Sequence, residues 1–262
     1  MSASASYSSV WSQLSGLSGS AVFVNALFPM GSALYAGTNG GGSGSEVWQW
    51  NAAQSSWSQL GSLGGQLPAT AKITSLLAQS GTLYAATTDG VRETSLSSTP
   101  AAWALVGALS GTALAVTSLA AAGGTVYAGT ADQVYALSGG AWQMVGDLTA
   151  TNAMGAAASH VLTLTTVNGA LRAGTDDGIW TLAGGSWSQR PLDICAVYTN
   201  PCEPIDAIVP WGQWVAVNVV NAGVWAWDGS AWSKLTGGNS SRFELNTAES
   251  LSALTVGENG IL

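Results

Sequence analysis

Charge is what this sequence has least of. Only 8% of its 262 residues are charged, against about 25% in a typical soluble domain, and six of them are Lys or Arg. Six scattered cations cannot build the basic face that nucleic acid binding requires, and they also disfavour binding to an anionic membrane surface. No apolar run approaches the roughly 20 residues of a membrane-spanning helix, so we expect no membrane insertion.

Histidine and cysteine are also scarce. His160 is the single histidine, and no cluster of Cys and His exists, so we expect neither a metal site nor a cofactor. Cys195 and Cys202 are the two cysteines, and the short proline-containing loop between them indicates a local disulfide, with two separate buried thiols as the alternative. A disulfide implies an oxidising compartment. The N-terminal MSASASYSSV lacks the basic and apolar segments of a secretory signal, yet polarity supplied by Ser, Thr, Gly, Asn and Gln favours a secreted or cell-surface protein.

Tryptophan, in contrast, is plentiful and periodic. Of 13 tryptophans, six return every 39 to 46 residues and open similar segments, as in WSQL, WALV and WQMV: Trp11, Trp57, Trp103, Trp142, Trp187 and Trp232. A period in this range indicates a repeat architecture. Each period holds four short apolar segments separated by Gly, Asp and Asn turns, and apolar residues do not recur at helical spacing. The sequence therefore predicts an all-β fold, a β-propeller of four-stranded blades.

The repeat runs from end to end, which predicts a single domain with six blades. The expected blades cover residues 15–60, 61–106, 107–146, 147–190, 191–235, and 236–262 together with 1–14. Strands from both termini would then close the ring and remove exposed sheet edges. The sixth blade carries an inner strand at 251–256 and an outer strand at 10–14, with short segments between them. We expect either that residues 2–9 complete it or that a neighbouring subunit donates a strand and forms a homo-oligomer.

The side chains within the repeat and its turns suggest how the blades pack. Small residues dominate the first two strands and aromatic residues the outer two, so we expect the repeated tryptophans to pack between blades, with sugar stacking as the alternative. The turns LSGGAW, LAGGSW and WDGSAW resemble degenerate Asp-box turns of sialidase-like and related bacterial propellers, and Asp228 alone keeps an acidic residue near the Asp-box position. The short Trp-marked blades are similar to those of tachylectin-type propeller lectins. The resemblance implies the architecture and, by analogy, glycan binding.

Residues suited to catalysis are few. Asp176-Asp177-Gly178 occupies a turn position of the repeat, and the four arginines, Arg92, Arg172, Arg190 and Arg242, are not expected to converge on one pocket. We therefore predict no catalytic residues. The most plausible function is a non-catalytic binding or assembly protein, whose partners are a glycan or other protein subunits.

Candidate ligand-binding residues are sought in and just after the long connections at 147–160, 191–204 and 236–249, because propeller function concentrates where loops break the repeat. The candidates are His160, Asp206, Trp211, Arg242, Phe243, Glu244 and Asn246. Two alternatives remain open. One is a structural subunit of an extracellular surface layer, filament or virion. The other is a propeller glycoside hydrolase or lyase that uses Asp206 and Glu244 as its pair of carboxylates.

Overall fold

The computed structural model of the protein describes most of the repeat region in detail. The described residues are 14, 16–17, 23–39, 44–63, 70–98, 101–109, 115–148, 160–176, 178–190, 204–211, 214–220, 223–228 and 230–235. Every regular element in these ranges is a β-strand. They contain no helix of the length and apolarity needed to cross a membrane.

Twenty strands form five antiparallel sheets, which we call blades 1 to 5. Blade 1 contains β1 (Phe23–Met30), β2 (Ala33–Asn39), β3 (Glu46–Asn51) and β4 (Ser56–Ser62). Blade 2 contains β5 (Ile73–Gln79), β6 (Thr82–Thr87), β7 (Gly90–Ser95) and β8 (Ala104–Leu105), and blade 3 contains β9 (Ser118–Ala122), β10 (Thr125–Gly129), β11 (Gln133–Ser138) and β12 (Ala141–Asp147). Blade 4 contains β13 (Val161–Val167), β14 (Ala170–Thr175), β15 (Gly178–Ala183) and β16 (Ser186–Arg190), and blade 5 contains β17 (Ile205–Trp211), β18 (Trp214–Val219), β19 (Gly223–Trp227) and β20 (Trp232–Lys234).

Each blade is a four-stranded meander in which strands pair in chain order. Hairpin turns set this order. Gly139-Gly140 and Gly184-Gly185, which join the third and fourth strands of blades 3 and 4, all have positive φ. Positive φ at both central residues defines the type I′ turn, whose twist matches that of the flanking strands. The glycine pairs visible in the sequence thus fix the outer hairpins, and the predicted meander is confirmed.

The blades pack face to face through their first strands. The principal contacts between blades join β1 to β5, β5 to β9, β9 to β13 and β13 to β17. Such a radial series of meanders, each touching its neighbours through the innermost strand, is a β-propeller. Aliphatic and aromatic side chains fill the joints. The joint between blades 1 and 2, for example, buries Tyr35, Val47, Ile73 and Trp103.

Close packing at each joint depends on one small residue in the second strand. A Cβ added to Gly37 would lie 2.5 Å from Ile73 Cγ2, and one added to Gly129 would lie 2.8 Å from Val161 Cγ1. Both distances are shorter than van der Waals contact permits. At these joints the first strand of the following blade therefore inserts a β-branched side chain where the preceding blade has no side chain.

The repeated tryptophans tie the outer edges of neighbouring blades. In three of them the indole N–H donates a hydrogen bond to the carbonyl of the residue three positions after the tryptophan of the preceding blade. The bonds join Trp103 Nε1 to Leu60 O at 2.8 Å, Trp142 Nε1 to Val106 O at 2.7 Å and Trp187 Nε1 to Val145 O at 3.0 Å. Trp103 and Trp142 are each 5% exposed. The expectation that these side chains pack between blades is confirmed for the three.

The described residues contain five blades rather than the six expected. The sixth, at 236–262 together with 1–14, lies outside them apart from Leu14. The first strand of blade 1 differs from its counterparts: Val24 is 45% exposed and Leu27 is 61% exposed. The corresponding residues face the preceding blade and are buried. Ile73, Val116, Val161 and Ile205 are 0% exposed, and Leu76, Leu119, Leu164 and Ile208 are at most 6% exposed. Blade 1 thus exposes an apolar strip, whereas the equivalent residues of blades 2 to 5 are covered by the preceding blade.

Candidate functional site

Polar side chains gather at one end of the propeller, where the first strands begin and the second strands end. We call this end the entry face. On blade 2 its backbone is closed by a reciprocal pair of bonds: Thr88 N donates to Lys72 O, and Lys72 N donates to Thr88 Oγ1, both at 3.0 Å. Because the repeat places the same two positions together on blades 2, 4 and 5, substitutions there change the surface without changing the fold.

His160 and Asp176 occupy these positions on blade 4. The His160 backbone N donates to Asp176 Oδ1 at 2.8 Å, as the lysine does to threonine on blade 2. The second carboxylate oxygen, Oδ2, lies 2.8 Å from Nδ1 of the His160 ring. Asp176 thus accepts the backbone N–H bond that Thr88 accepts on blade 2, and its second oxygen also bonds the imidazole of His160. Both side chains reach solvent, with exposures of 54% for His160 and 33% for Asp176.

Electrostatics favour a protonated His160. Its hydrogen bond to Asp176 is the largest effect and raises the pKa of the imidazole, burial acts in the opposite direction, and the charges of Asp176 and Asp132 raise the pKa further. Asp132 comes from the corresponding turn of blade 3. On blade 2 that turn carries Asp89, whose Oδ2 lies 3.6 Å from the buried guanidinium of Arg92. Carboxylates from three consecutive blades therefore line this end of the propeller.

A second polar pair lies near the same end of blade 5. Asp206 is the bulge residue of β17, between Ile205 and Ala207, and its Oδ1 accepts a 2.7 Å hydrogen bond from Asn218 Nδ2. Asn218 is 2% exposed. Burial raises the pKa of Asp206, and the bond from Asn218 partly offsets this effect. Asn218 stands where blades 1, 3 and 4 have glycine, so this pair departs from the repeat.

Trp211 does not join this group. It ends β17, five residues beyond Asp206, which corresponds to about 17 Å along an extended strand. There it meets Trp214 edge to face, with ring centroids 5.3 Å apart. The structure therefore places His160 and Asp206 toward the entry face and Trp211 at the opposite end.

Several predicted residues cannot be located relative to these. Arg242, Phe243, Glu244, Asn246, Cys195 and Cys202 lie outside the described residues, as do the long connections at 149–159, 191–203 and 236–250. The proposed carboxylate pair of Asp206 and Glu244 and the proposed disulfide thus remain predictions. Sequence reasoning did not recognise the role of Asn218. Its signal is visible when second strands are aligned, because Asn218 replaces the Gly of LYAGT.

Comparisons with known proteins agree with the fold. No family model matches the chain, and no curated protein matches it. Among solved structures, the extracellular domain assigned to a one component system of B. thetaiotaomicron is 16% identical, with a TM-score of 0.58 over 77% of this chain and 26% of its own. PorZ, a surface component of the type-IX secretion system of Porphyromonas gingivalis, is 14% identical, with a TM-score of 0.52 over 81% of this chain and 26% of its own.

A computationally designed protein, Ika8, is also similar: it is 17% identical, with a TM-score of 0.54 over 78% of this chain and 58% of its own. The chain thus spans between about a quarter and three fifths of these proteins. Identities this low establish the shared fold alone. The chain is an all-β β-propeller, and two of the three similar structures belong to extracellular or surface components.

Proposed function

We propose that this chain is a non-catalytic binding protein, secreted or held at a cell surface, that takes a neutral glycan at its entry face. The observation that carries the proposal is the His160–Asp176 pair, which is fixed by backbone bonds and still open to solvent. A carboxylate beside an imidazole offers a hydrogen-bond acceptor and, through Nε2, a donor to the hydroxyl groups of a sugar. Asp132 and Asp89 extend the row of acceptors across neighbouring blades.

Two further points support an extracellular role. The sequence derives its polarity from uncharged side chains, with only 8% charged residues. The similar structures from B. thetaiotaomicron and P. gingivalis are described as an extracellular domain and a surface component. Neither similar protein supplies a ligand for this chain, so the glycan assignment depends on the entry face alone.

The proposed ring has six blades, the sixth formed by residues 236–262 together with 1–14. The support is the apolar strip at Val24 and Leu27, which occupies the positions that a preceding blade covers at every other joint. A variant that ends at residue 250 removes the expected inner strand of the sixth blade. We expect it to unfold at a clearly lower temperature than the full chain. An unchanged Tm would show that these residues form no blade.

Binding is tested with purified full-length protein on a glycan array, followed by thermal unfolding with each sugar that binds. Asp176→Asn should weaken binding at least tenfold, because the amide cannot both cap the strand and accept from the imidazole. Asp228→Asn is the matched control, since it neutralises a carboxylate at the opposite end of the propeller. If no sugar binds or shifts the Tm, or if both variants bind equally well, the glycan proposal is wrong.

The assembly alternative is favoured by a different observation. A strip containing Phe23, Val24 and Leu27, with exposures of 68%, 45% and 61%, suits contact with another subunit if the chain does not cover it. Light scattering of the native protein separates the two cases. A monomer supports the binding protein with a closed ring, whereas a defined oligomer that Leu27→Asp dissociates supports a structural subunit.

A further inference from the structure

We propose that the face of blade 5 directed away from blade 4 binds residues 251–256 of the same chain. Leu251 packs against Asp206 and Asn218 on this face, and we call their position the seat. This inference rests on the proposed sixth blade and names the contact by which that blade attaches. Among the described strands, the principal contacts of β17 outside its own blade are with β13 and β14 of blade 4. Val215 and Val217 of β18 share a buried cluster with Val167 of blade 4. Ala216, Asn218 and Ala226 lie on the opposite face of blade 5, directed away from blade 4, and they are nevertheless at most 2% exposed.

The four described joints follow one size rule. The small residue of each second strand meets the first inward residue of the next blade, as Gly37 meets Ile73, Gly129 meets Val161 and Gly174 meets Ile205. In the joint between blades 2 and 3 the small residue is Ala86, and it shares a buried cluster with Val116. Each incoming residue is β-branched, so its bulk lies beside its own backbone, where a larger neighbour would collide with it.

Blade 5 breaks the rule on its outward side. Asn218 replaces the small residue and is held in place by Asp206. A β-branched residue entering this joint would meet the amide. Leucine carries its branch one carbon further from the backbone and leaves room beside Cβ, so an asparagine seat suits leucine better than valine or isoleucine.

The segment 251–256 has the pattern of a first strand and the expected substitution. Its sequence, LSALTV, places Leu251 and Leu254 three residues apart, with Ala253 between them. The described first strands have the same spacing, as in Ile73 and Leu76 around Ser75. Leu251 is also the one residue of this series that is not β-branched; the others are Val24, Ile73, Val116, Val161 and Ile205. Asn218, the exception among the second strands, and Leu251, the exception among the first strands, are thus the two residues that the proposed joint brings together.

Chain length favours the chain's own segment over a second copy. Nineteen positions separate Trp142 from Val161, and nineteen separate Trp232 from Leu251. The connection that spans blades 3 and 4 is thus as long as the one needed here. A strand from another molecule is not required to reach the seat.

The bulge position supplies a second point of contact. In blade 2 it holds Thr74, and the equivalent residue of blade 3, just before β9, is Thr117. Their hydroxyls donate to the carbonyls of Val116 and Val161 at 2.6 and 2.8 Å. Asp206 stands at the same position of blade 5. Its carboxyl group therefore lies where the backbone of the incoming strand passes at two other joints, which makes Asp206 and Asn218 a paired replacement for Thr74 and Ala86.

The test exchanges the seat and its occupant. Asp206→Thr with Asn218→Ala copies the pair found in blade 2, and Leu251→Val copies Val116. In the native seat, Leu251→Val should lower the Tm by about 2–12 °C, because the methyl branch at Cβ would collide with the Asn218 side chain. In the exchanged seat the same substitution should cost less than half as much. If the double exchange fails to fold, Asn218→Ala alone provides the background, since alanine is tolerated at this position in blade 2.

Additive effects in both backgrounds would overturn the seat. If the chain that ends at residue 250 is nevertheless destabilised, the proposal of a sixth blade is kept, and this blade attaches by another contact. If that chain is as stable as the full chain, the proposal of a sixth blade is itself wrong. Each variant is also measured by light scattering. Coupling that appears only in a dimer would show that a second copy occupies the seat, and would overturn the assignment to the chain's own segment.

Discussion

Adding one methyl group at Gly174 should disrupt the joint between blades 4 and 5. A Cβ at this position of β14 would lie 2.6 Å from Ile205 O, 2.7 Å from Thr163 Cγ2 and 3.0 Å from Ile205 Cγ2. Ordinary contact begins at 3.4 Å, so the strands must separate by about 0.8 Å. The nearest atom belongs to the backbone, and a change of side-chain rotamer therefore cannot relieve the collision.

Overpacking of this kind costs about 1–3 kcal/mol, and in a protein of this size each kcal/mol lowers the Tm by about 2–4 °C. Gly174→Ala is thus expected to unfold about 2–12 °C below the parent in a calorimetric or circular dichroism melt. Because the loss arises from one joint, the folded spectrum at 25 °C should be unchanged.

Two matched variants isolate the cause. Gly16→Ala introduces the same methyl group where no atom lies within 4 Å, and it should leave the Tm unchanged within about 2 °C. Ala86→Gly removes the methyl group that blade 2 tolerates at the equivalent position, and it should cost about 0.5–1 kcal/mol through backbone entropy. A Tm for Gly174→Ala that equals that of Gly16→Ala would refute the size rule at the joints.

Three further outcomes follow from the hydrogen bonds. Because Asp176 raises the pKa of His160, their pair stabilises the fold fully below pH about 6.5 and loses that effect as pH rises through the folded pKa; the difference in Tm between the parent and Asp176→Asn should shrink between pH 5.5 and 8.5. Trp142→Phe removes the donor to Val106 O and should cost about 1–3 kcal/mol in chemical denaturation, with unchanged pH dependence. Bonds from Ala231 and Ser230 lower the pKa of Asp228, so its contribution is present above pH about 4 and lost as pH falls; Asp228→Ala should lower the Tm at pH 7 more than at pH 2.5.

Much of the fold could be predicted because the tryptophan-marked segment occurs six times in the sequence. Trp57, Trp103, Trp142 and Trp187 fixed the period, and the glycine turns fixed the meander within each period. Local turn chemistry and strand alternation are properties of short segments, and a single sequence displays them directly. The five described blades have the strands expected from these signals.

The candidate site was less predictable, since its contacts join segments distant along the chain. His160 and Asp176 are 16 residues apart, and only the pairing register of β13 with β14 brings them together. Asp206 and Trp211 are close in sequence, but the strand between them is extended and holds them at opposite ends. The prediction from loop position thus included both Asp206 and Trp211, and it omitted Asn218, which the pairing of β17 with β18 brings beside Asp206.

The indole bonds between blades have a direction, and that direction matches the order of synthesis. In every described case the donor belongs to the later blade and the acceptor to the earlier one, as in Trp142 and Val106. Trp142 and Trp187 lie in the last strands of their blades, so each leaves the ribosome after the first three strands of its blade and after its acceptor. Each new blade can therefore latch onto a finished neighbour during translation, without waiting for sequence still to come.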